Sequence, residues 1–326
     1  RLTGETAASW LAAAPPTGGG LPAALIDELV TGGMRSNYGG QGCNSLHALV
    51  GLVSIAGGIS SRCFGLKGGN QQVPRGLVAS ACPERLLVGV TVRTVRRTEP
   101  HSHWELLLEE GASAEAMKGE GSPAVKGGYL IEGPFDLVVV AHPLERSCLS
   151  FEGLDGGPPT VPGSFRRCVA HFVSGTLRRE VFSAAGAVLT VADSTAPFYS
   201  IGLQFPINSS KREAQQIADA ALRGEPAVFK VFAAEVLSDA QLDSIFERRE
   251  GSAAVLDWYA YPEYFAPQKF APFVLDGEGS SLLYLNAIEQ TASAMEMSAV
   301  SARNAVNLVR RFVELRRGAN VASGGF

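Results

Sequence analysis

Apolar and polar positions are arranged most regularly over residues 282–315. A short apolar run comes first, then a polar crossing, and then Met295, Ala299, Ala302, Val306, Val309 and Val313 at alternating steps of four and three. That spacing predicts a strand, a tight loop and one long helix, with the six residues on one buried stripe. Ser293 and Glu296 have the spacing of a capping box at its start. Arg310, Arg311, Arg316 and Arg317 gather at the far end, where cations complement the helix dipole. Small residues around the helix start would let an anion or electron-rich oxygen approach its free N–H groups. The same small residues also serve plain close packing, and on pattern alone close packing is favoured.

Upstream, residues 1–20 contain LAAAPPTGGG, which reads as a loose connector. Pro22 opens a short helix that Gly32 and Gly33 should close. Residues 46–55 read as a second helix, and Leu77, Val78 and Cys82 have helical spacing after a Gly-rich turn at 67–70. Residues 86–95 alternate, with Val88, Val90 and Val92 on one side, which is strand behaviour. Residues 104–109 and 129–131 read as strands around a polar loop, and 135–141 (FDLVVVA) as a strand buried on both faces. The Gly/Pro-rich stretch 148–163 marks a domain crossing. Strand-like segments follow at 168–174, 187–191 and 227–232. Between and after them come an amphipathic helix over 211–223 and a helix over 238–248 opened by a Ser238–Gln241 capping box. Strands and helices alternate, so the expected class is α/β or mixed α+β with an interrupted domain.

Composition narrows the chemistry mainly by exclusion. The 326 residues carry a net charge of −4 with mixed signs, which gives no nucleic-acid footprint. No apolar run is long enough to span a bilayer. The five cysteines, Cys43, Cys63, Cys82, Cys148 and Cys168, form no C-x-x-C pair and are an odd number, which argues for free thiols. The chain begins Arg-Leu-Thr, which reads as a piece of a longer parent. No nucleophile elbow, HExxH motif or P-loop occurs. Gly119 and Gly121 lie in a polar loop with no buried strand before it, so they are not a phosphate turn. His101 and His103 read as an exposed loop pair rather than metal ligands, with no metal site expected. His47 and His142 read as structural. The Trp258–Tyr264 aromatics read as core, with a pocket wall as the alternative. Asn208-Ser209-Ser210 is a glycosylation sequon.

Four blocks go further. Asn37-Tyr38-Gly39 with LVGLVS at 49–54, KGGNQQVPRGL at 67–77, FDLVVVAHPL at 135–144 and YLNAIEQTASAMEMSA at 284–299 stand in this order. Together with the aromatic stretch at 258–264, they resemble prenylcysteine oxidases, the flavoproteins also called prenylcysteine or farnesylcysteine lyases. Ala287 replaces a family glycine, Gly40 is an addition, and Gln290 stands where some relatives have cysteine.

The resemblance implies an amine-oxidase-like flavoprotein fold with an interrupted FAD-binding domain and a mixed-sheet substrate domain. Its divisions would be a flexible arm over 1–20, the helical part of the substrate domain over 21–65 and a second FAD-domain piece over 66–145. The substrate domain proper would cover 146–277, the closing strand–helix of the FAD domain 278–315, and a tail 316–326. The family's N-terminal glycine fingerprint for ADP is missing from this sequence, so the expectation is that this stretch alone holds FAD poorly. The resemblance implies FAD as cofactor and prenylcysteine and molecular oxygen as substrates, with cysteine, prenyl aldehyde and peroxide as products. It also implies a lysosomal or vacuolar address with peripheral membrane association. Cofactor contacts would fall on Gly68, Gly69, Asn70, Val92, Glu289, Ala294, Met295 and Glu296, the last mainly as a cap. The prenyl slot would draw on Asn37, Tyr38, Trp258, Tyr261 and Tyr264. No catalytic base is singled out. Two other readings stand beside this one: a general amine-oxidase relative, and a truncated, non-catalytic isoprenoid-binding protein.

Overall fold

A computed structural model describes residues 2–13, 19–60, 65–98, 103–109, 124–126, 129–154, 156–157, 159–179, 186–277 and 281–323. His101, Cys63, Gly119 and Gly121 lie outside the described residues. Helices α1 (Ala7–Ala12), α2 (Thr31–Asn37), α3 (Ala48–Ser60) and α4 (Gln72–Ala81) come first. Strands β1 (Thr91–Arg97), β2 (Trp104–Glu109), β3 (Ala124–Lys126), β4 (Tyr129–Phe135), β5 (Val138–Val140) and β6 (Ser150–Glu152) follow. Next are β7 (Phe165–Leu177), β8 (Ala187–Leu189), β9 (Ser200–Leu203), α5 (Lys211–Leu222) and β10 (Ala227–Ala233). Then come α6 (Asp239–Ile245), β11 (Phe246–Arg249), β12 (Ala254–Pro262), β13 (Leu282–Tyr284) and α7 (Met295–Ser323). The class is mixed α/β with several sheets.

Two compact units divide the chain: Arg1–Cys82 with Phe165–Gln268, and Pro83–Ser164 with Lys269–Phe326. The first is built on a sheet ordered β11-β7-β10-β9-β8, with β12 also paired to β7. β7 is long enough to take two partners on one edge, β11 through Leu177 and β12 through Phe172, while β10 runs along the other. β10 reads AVFKVFA, and its alternation decides its two faces. Phe229, Val231 and Ala233 enter the core with Val173, Ile201 and Phe246; burying each large side chain contributes about 1.5–3 kcal/mol. Lys230 and Phe232 face the other way. The expected capping box at Ser238 and Gln241 is formed, and a second joins Ser210 and Glu213.

The helical part of this unit departs from expectation in two places. Gly32 and Gly33 do not close the first helix. A π-helical stretch, Leu25–Val30, runs directly into α2, which continues to Asn37. Gly32 serves packing instead: a Cβ there would lie 3.2 Å from Leu189 Cβ. The chain turns at Gly39 and Gly40, whose φ values are +58° and +84°. Within the expected arm, α1 is held by the Ala7 N–H donating to the Leu46 carbonyl at 2.8 Å, with Ala7 and Leu11 buried.

The second unit holds a sheet ordered β3-β4-β2-β1-β6 and the parallel pair β13-β5. Trp104 is buried and donates its indole N–H to Ser281 Oγ at 3.0 Å, tying β2 to the approach of β13. Three expectations are corrected here. Pairing of β1 begins only at Thr91, and Val88 is 77% exposed, because Gly89 (φ +76°) interrupts the alternating run. The run 135–141 is no single strand buried on both faces: Phe135 ends β4, β5 is three residues long, and Val139 is 41% exposed. On α7 the predicted stripe is largely solvent-facing, with Met295 61% and Val306 49% exposed. Ser301 and Ala305 are the buried positions, and Ser301 Oγ donates to the Leu285 carbonyl at 2.7 Å. An apolar periodicity identifies a helix face, whereas the covered face is decided by what packs there, here the 3-10 turn Leu285–Gln290.

Candidate functional site

In the first unit, the Gly-rich turn before α4 borders a cavity of about 940 Å³. Gly68 and Gly69 have φ values of +86° and +102°, a region that L side chains avoid. Asn70 Oδ1 accepts from the Leu66 N–H at 3.0 Å, and Gln72 Nε2 donates to the Lys67 carbonyl at 2.6 Å. Asn208 Oδ1 accepts from the Gly68 N–H at 2.9 Å. Gly69, Asn70, Asn208 and Lys230 all line this cavity. Two predicted cofactor residues and the sequon asparagine therefore share one wall, joined by a lysine that the sequence reading passed over. The sole signal for Lys230 was a charge inside the apolar strand pattern AVFKVFA.

The predicted slot residues separate into two places. Tyr38 stacks edge-on with Tyr261 at 5.3 Å and with Tyr264 at 5.4 Å, and His47 meets Tyr264 at 5.7 Å between centroids. Tyr38 and Tyr264 are buried, and burial pushes the Tyr261 phenol above its ordinary range. Gln41, unremarked in the sequence, closes this cluster. Its Nε2 donates to the carbonyls of Tyr38 and Pro262, both at 3.1 Å, and its Oε1 accepts from the Tyr264 N–H at 2.8 Å. His47 Nδ1 accepts from the Val50 N–H at 3.3 Å, a structural role at the start of α3. Asn37 Nδ2 donates to the Ser54 carbonyl at 3.0 Å. Trp258 stands apart on the sheet face opposite the core, 6.1 Å from Phe232 between ring centroids. Cys168, its register partner on β7, is buried, and desolvation raises its thiol to about 11, which makes it inert at neutral pH.

In the second unit, the stretch from β13 to α7 carries the remaining residues. Tyr284 is buried; its hydroxyl accepts from the Leu144 N–H at 3.2 Å and donates to Glu145 Oε2 at 3.1 Å. Gln290 Nε2 donates to Glu145 Oε1 at 3.1 Å and to the Pro162 carbonyl at 2.9 Å. Its Oε1 accepts from the Ala271 N–H at 2.6 Å. This buried side chain fixes the crossing that leads into α7. Glu289 is half-buried, and its carboxyl is raised first by burial and then by Glu145 nearby. Ala294 precedes the helix and Met295 and Glu296 open it. The Ser298 N–H is the first to bond back, to the Ala294 carbonyl at 3.0 Å, so the N–H groups of Met295, Glu296 and Met297 have no intrahelical acceptor. Val92 lines a separate, mostly apolar cavity of about 400 Å³ with Leu106, Leu108 and Phe135. Arg85 and Glu132, also in its lining, pair bidentately at 2.7 and 2.9 Å.

Elsewhere the expected histidine roles are plain. His142 Nε2 lies 3.1 Å from Ser147 Oγ, and burial lowers its basicity. His103 Nε2 is 3.6 Å from Asp136. Among the described residues no cluster of three metal-binding side chains occurs, and no helix is long and apolar enough to cross a membrane.

A mixed α/β chain with these blocks in this order has a defined class. The family model described as prenylcysteine lyase matches residues 17–317, and the chain belongs to that family. Prenylcysteine oxidase 1 from Bos taurus is 30% identical over 299 residues, covering 87% of this chain and 53% of the relative. Farnesylcysteine lyase from Arabidopsis thaliana is 30% identical over 295 residues, covering 87% of this chain and 49% of the relative. The chain thus spans about half the length of the curated relatives it matches.

Proposed function

We propose that the chain is part of an FAD-dependent thioether oxidase that cleaves prenylcysteine with molecular oxygen and water to cysteine, prenyl aldehyde and hydrogen peroxide, the aldehyde oxygen coming from the water. The observation that carries this reading is the opening of α7. The family block YLNAIEQTASAMEMSA ends on a helix whose first N–H groups have no intrahelical acceptor and whose opening Met295 is exposed. These donors, with the positive end of a 29-residue helix, suit an electron-rich ring edge that gains negative charge on reduction. Bound FAD would supply the redox chemistry, accepting hydride from the carbon next to sulfur and passing the electrons to oxygen.

The chain's own residues would bind and orient. Ala294 and Met295 would offer backbone N–H groups, and Glu296 would remain a cap. Glu289 would face the ribityl or pyrophosphate region, with burial and then Glu145 raising its carboxyl above the ordinary range. Val92 would hold adenine by its strand backbone, beside an apolar cavity that suits a flat ring. Gly68, Gly69 and Asn70 would let backbone pass close to the cofactor. By the amine-oxidase-like resemblance, residues 66–145 and 278–315 would serve the cofactor, and residues 21–65 and 146–277 the substrate. A lysosomal or vacuolar setting, with peripheral membrane association, suits a substrate with a prenyl chain.

The test is to purify the protein as its gene encodes it, record flavin absorbance, and add farnesylcysteine in air. Flavin-bound protein that releases peroxide supports the reading. Flavin-bound protein that ignores farnesylcysteine but oxidises amines would replace it with the general amine-oxidase reading.

A further inference from the structure

The face of the first unit's sheet that turns away from the core is apolar and exposed around Val228, Phe172 and Leu256, while α2 packs over Leu189 and Ser200 on its β8–β9 side. Register places Phe172 opposite Lys230, Ala170 opposite both Phe232 and Leu256, and Cys168 opposite Trp258, so these side chains share that face. Phe172 is 37% and Leu256 55% exposed, and Val228, in the same row, is 44% exposed. Among the described residues three cations stand on it, Arg166, Lys230 and, opposite Thr176, Arg248, which pairs with Glu250 at 2.9 Å. Arg166 is satisfied: its Nε donates to the Gly39 carbonyl at 3.0 Å and its Nη1 lies 3.5 Å from Glu263. Lys230 makes no ion pair or hydrogen bond among the described residues, and its ammonium sits 4.5 Å from the Phe232 ring centroid. Desolvation lowers its basicity. A half-buried ammonium held only by a ring face is electrostatically incomplete, because the interaction replaces little of the lost hydration.

From this arrangement we infer that the uncovered face binds the apolar chain of an amphiphile over Phe172, Phe232 and Trp258, and that Lys230 takes the amphiphile's single carboxylate. The choice of occupant rests on charge complementarity. One unpaired cation at the junction of an apolar face and a polar cavity matches one anion at the end of one apolar chain. That cavity is lined by Lys230 together with Asn70, whose Oδ1 is taken by the Leu66 N–H and whose Nδ2 is a further donor for the carboxylate end. Naming the amphiphile as prenylcysteine rests on the function proposed above; the carboxylate-plus-chain site rests on the sheet face alone. Lys230 acts here as a specificity residue, holding the cysteine end of the substrate, whose carboxylate is separated from the thioether sulfur only by Cα and Cβ.

Quenching of Trp258 fluorescence tests this on the purified protein, with N-acetyl-S-farnesylcysteine, its methyl ester and laurate as probes. The acid should bind about ten- to hundredfold tighter than the ester, the range for one charge-assisted contact in a half-buried site. Lys230→Met should bind both at the ester's affinity, and Lys230→Arg should restore the preference. Trp258→Phe should lose the signal. An acid preference retained in Lys230→Met, or no quenching by either farnesyl probe, overturns the proposal. Laurate that binds as tightly as the farnesyl acid, with the same dependence on Lys230, supports the carboxylate-plus-chain site and removes prenylcysteine as its occupant. Weak binding of laurate beside tight binding of the farnesyl acid supports both.

Discussion

The side-chain oxygen of Asn208 accepts the backbone N–H of Gly68 at 2.9 Å, joining positions 140 residues apart. The bond holds a turn in which two successive glycines have positive φ. Asn208→Ala should loosen that turn at a cost of about 0.5–1.5 kcal/mol, the ordinary net value of one hydrogen bond. Gly69→Ala should cost more, about 1–3 kcal/mol, since φ is +102° and the new Cβ would lie 2.7 Å from Ile207 Cδ1. Urea midpoints rank the two variants. A Gly69→Ala protein as stable as wild type would contradict this account of the turn. Glycan attachment to Asn208 would use Nδ2 and leave the Oδ1 acceptor in place, so sequon occupancy, read by mass spectrometry, should not by itself shift the midpoint.

Gln41 is a stronger structural lock. It is buried and makes three hydrogen bonds to backbone groups on either side of the tyrosine cluster. Gln41→Leu keeps the bulk but strands the Tyr264 N–H and two carbonyls. A loss of about 2–4 kcal/mol is expected, from one to three kcal/mol per stranded donor and less per carbonyl. Chemical denaturation monitored by circular dichroism measures it, and a loss below about 0.5 kcal/mol would show the clasp to be dispensable.

Glu289 predicts a pH effect whose sign is opposite to the usual carboxylate. Its folded-state pKa is raised above the ordinary 4.5, first by burial and then by Glu145. The folded form therefore binds more protons than the unfolded form between the two values, and stability falls as pH rises through that window. Glu289→Gln should be more stable than wild type at neutral pH, with the difference shrinking below pH 4.5. Thermal melts across pH decide it; a variant less stable than wild type at neutral pH would contradict the sign.

Thiol reactivity follows burial. Cys82 and Cys148 are exposed, whereas Cys43 and Cys168 are buried with thiols raised by desolvation. Iodoacetamide at neutral pH should label Cys82 and Cys148 well before the other two in the native protein, and peptide mass spectrometry reads the order. Early labelling of Cys168 would show that its part of the sheet opens readily.

Much of the framework was legible because it rests on local rules. The Ser238–Gln241 capping box, the alternation of β10 and the strand-to-helix order of 282–315 all follow from spacing that survives in the structure. What spacing could not show is which face is covered. The apolar stripe at Met295 and Val306 has the correct helical period, yet contact with the Leu285–Gln290 turn buries Ser301 and Ala305 instead. The same limit applies to Val139, whose apolar neighbours imply burial on both faces where the structure covers one. Gln41 and Lys230 were missed for a related reason. Gln41 lies in a glycine-rich polar stretch and Lys230 in an apolar strand, and only the fold brings the partners of the one, or the want of them for the other, into view. The family blocks pointed to residues, while the Gly69–Asn208–Lys230 cavity arises from two turns and a strand distant in sequence.

Thioether oxidation by a flavin held in part at the start of α7 is the proposed reaction. Its most direct measurement is a product balance on the protein as its gene encodes it, supplied with farnesylcysteine in air. The account predicts free cysteine, farnesal and hydrogen peroxide in equal amounts, formed only by flavin-bound protein. Cysteine release without peroxide, or peroxide without loss of the thioether, would contradict it.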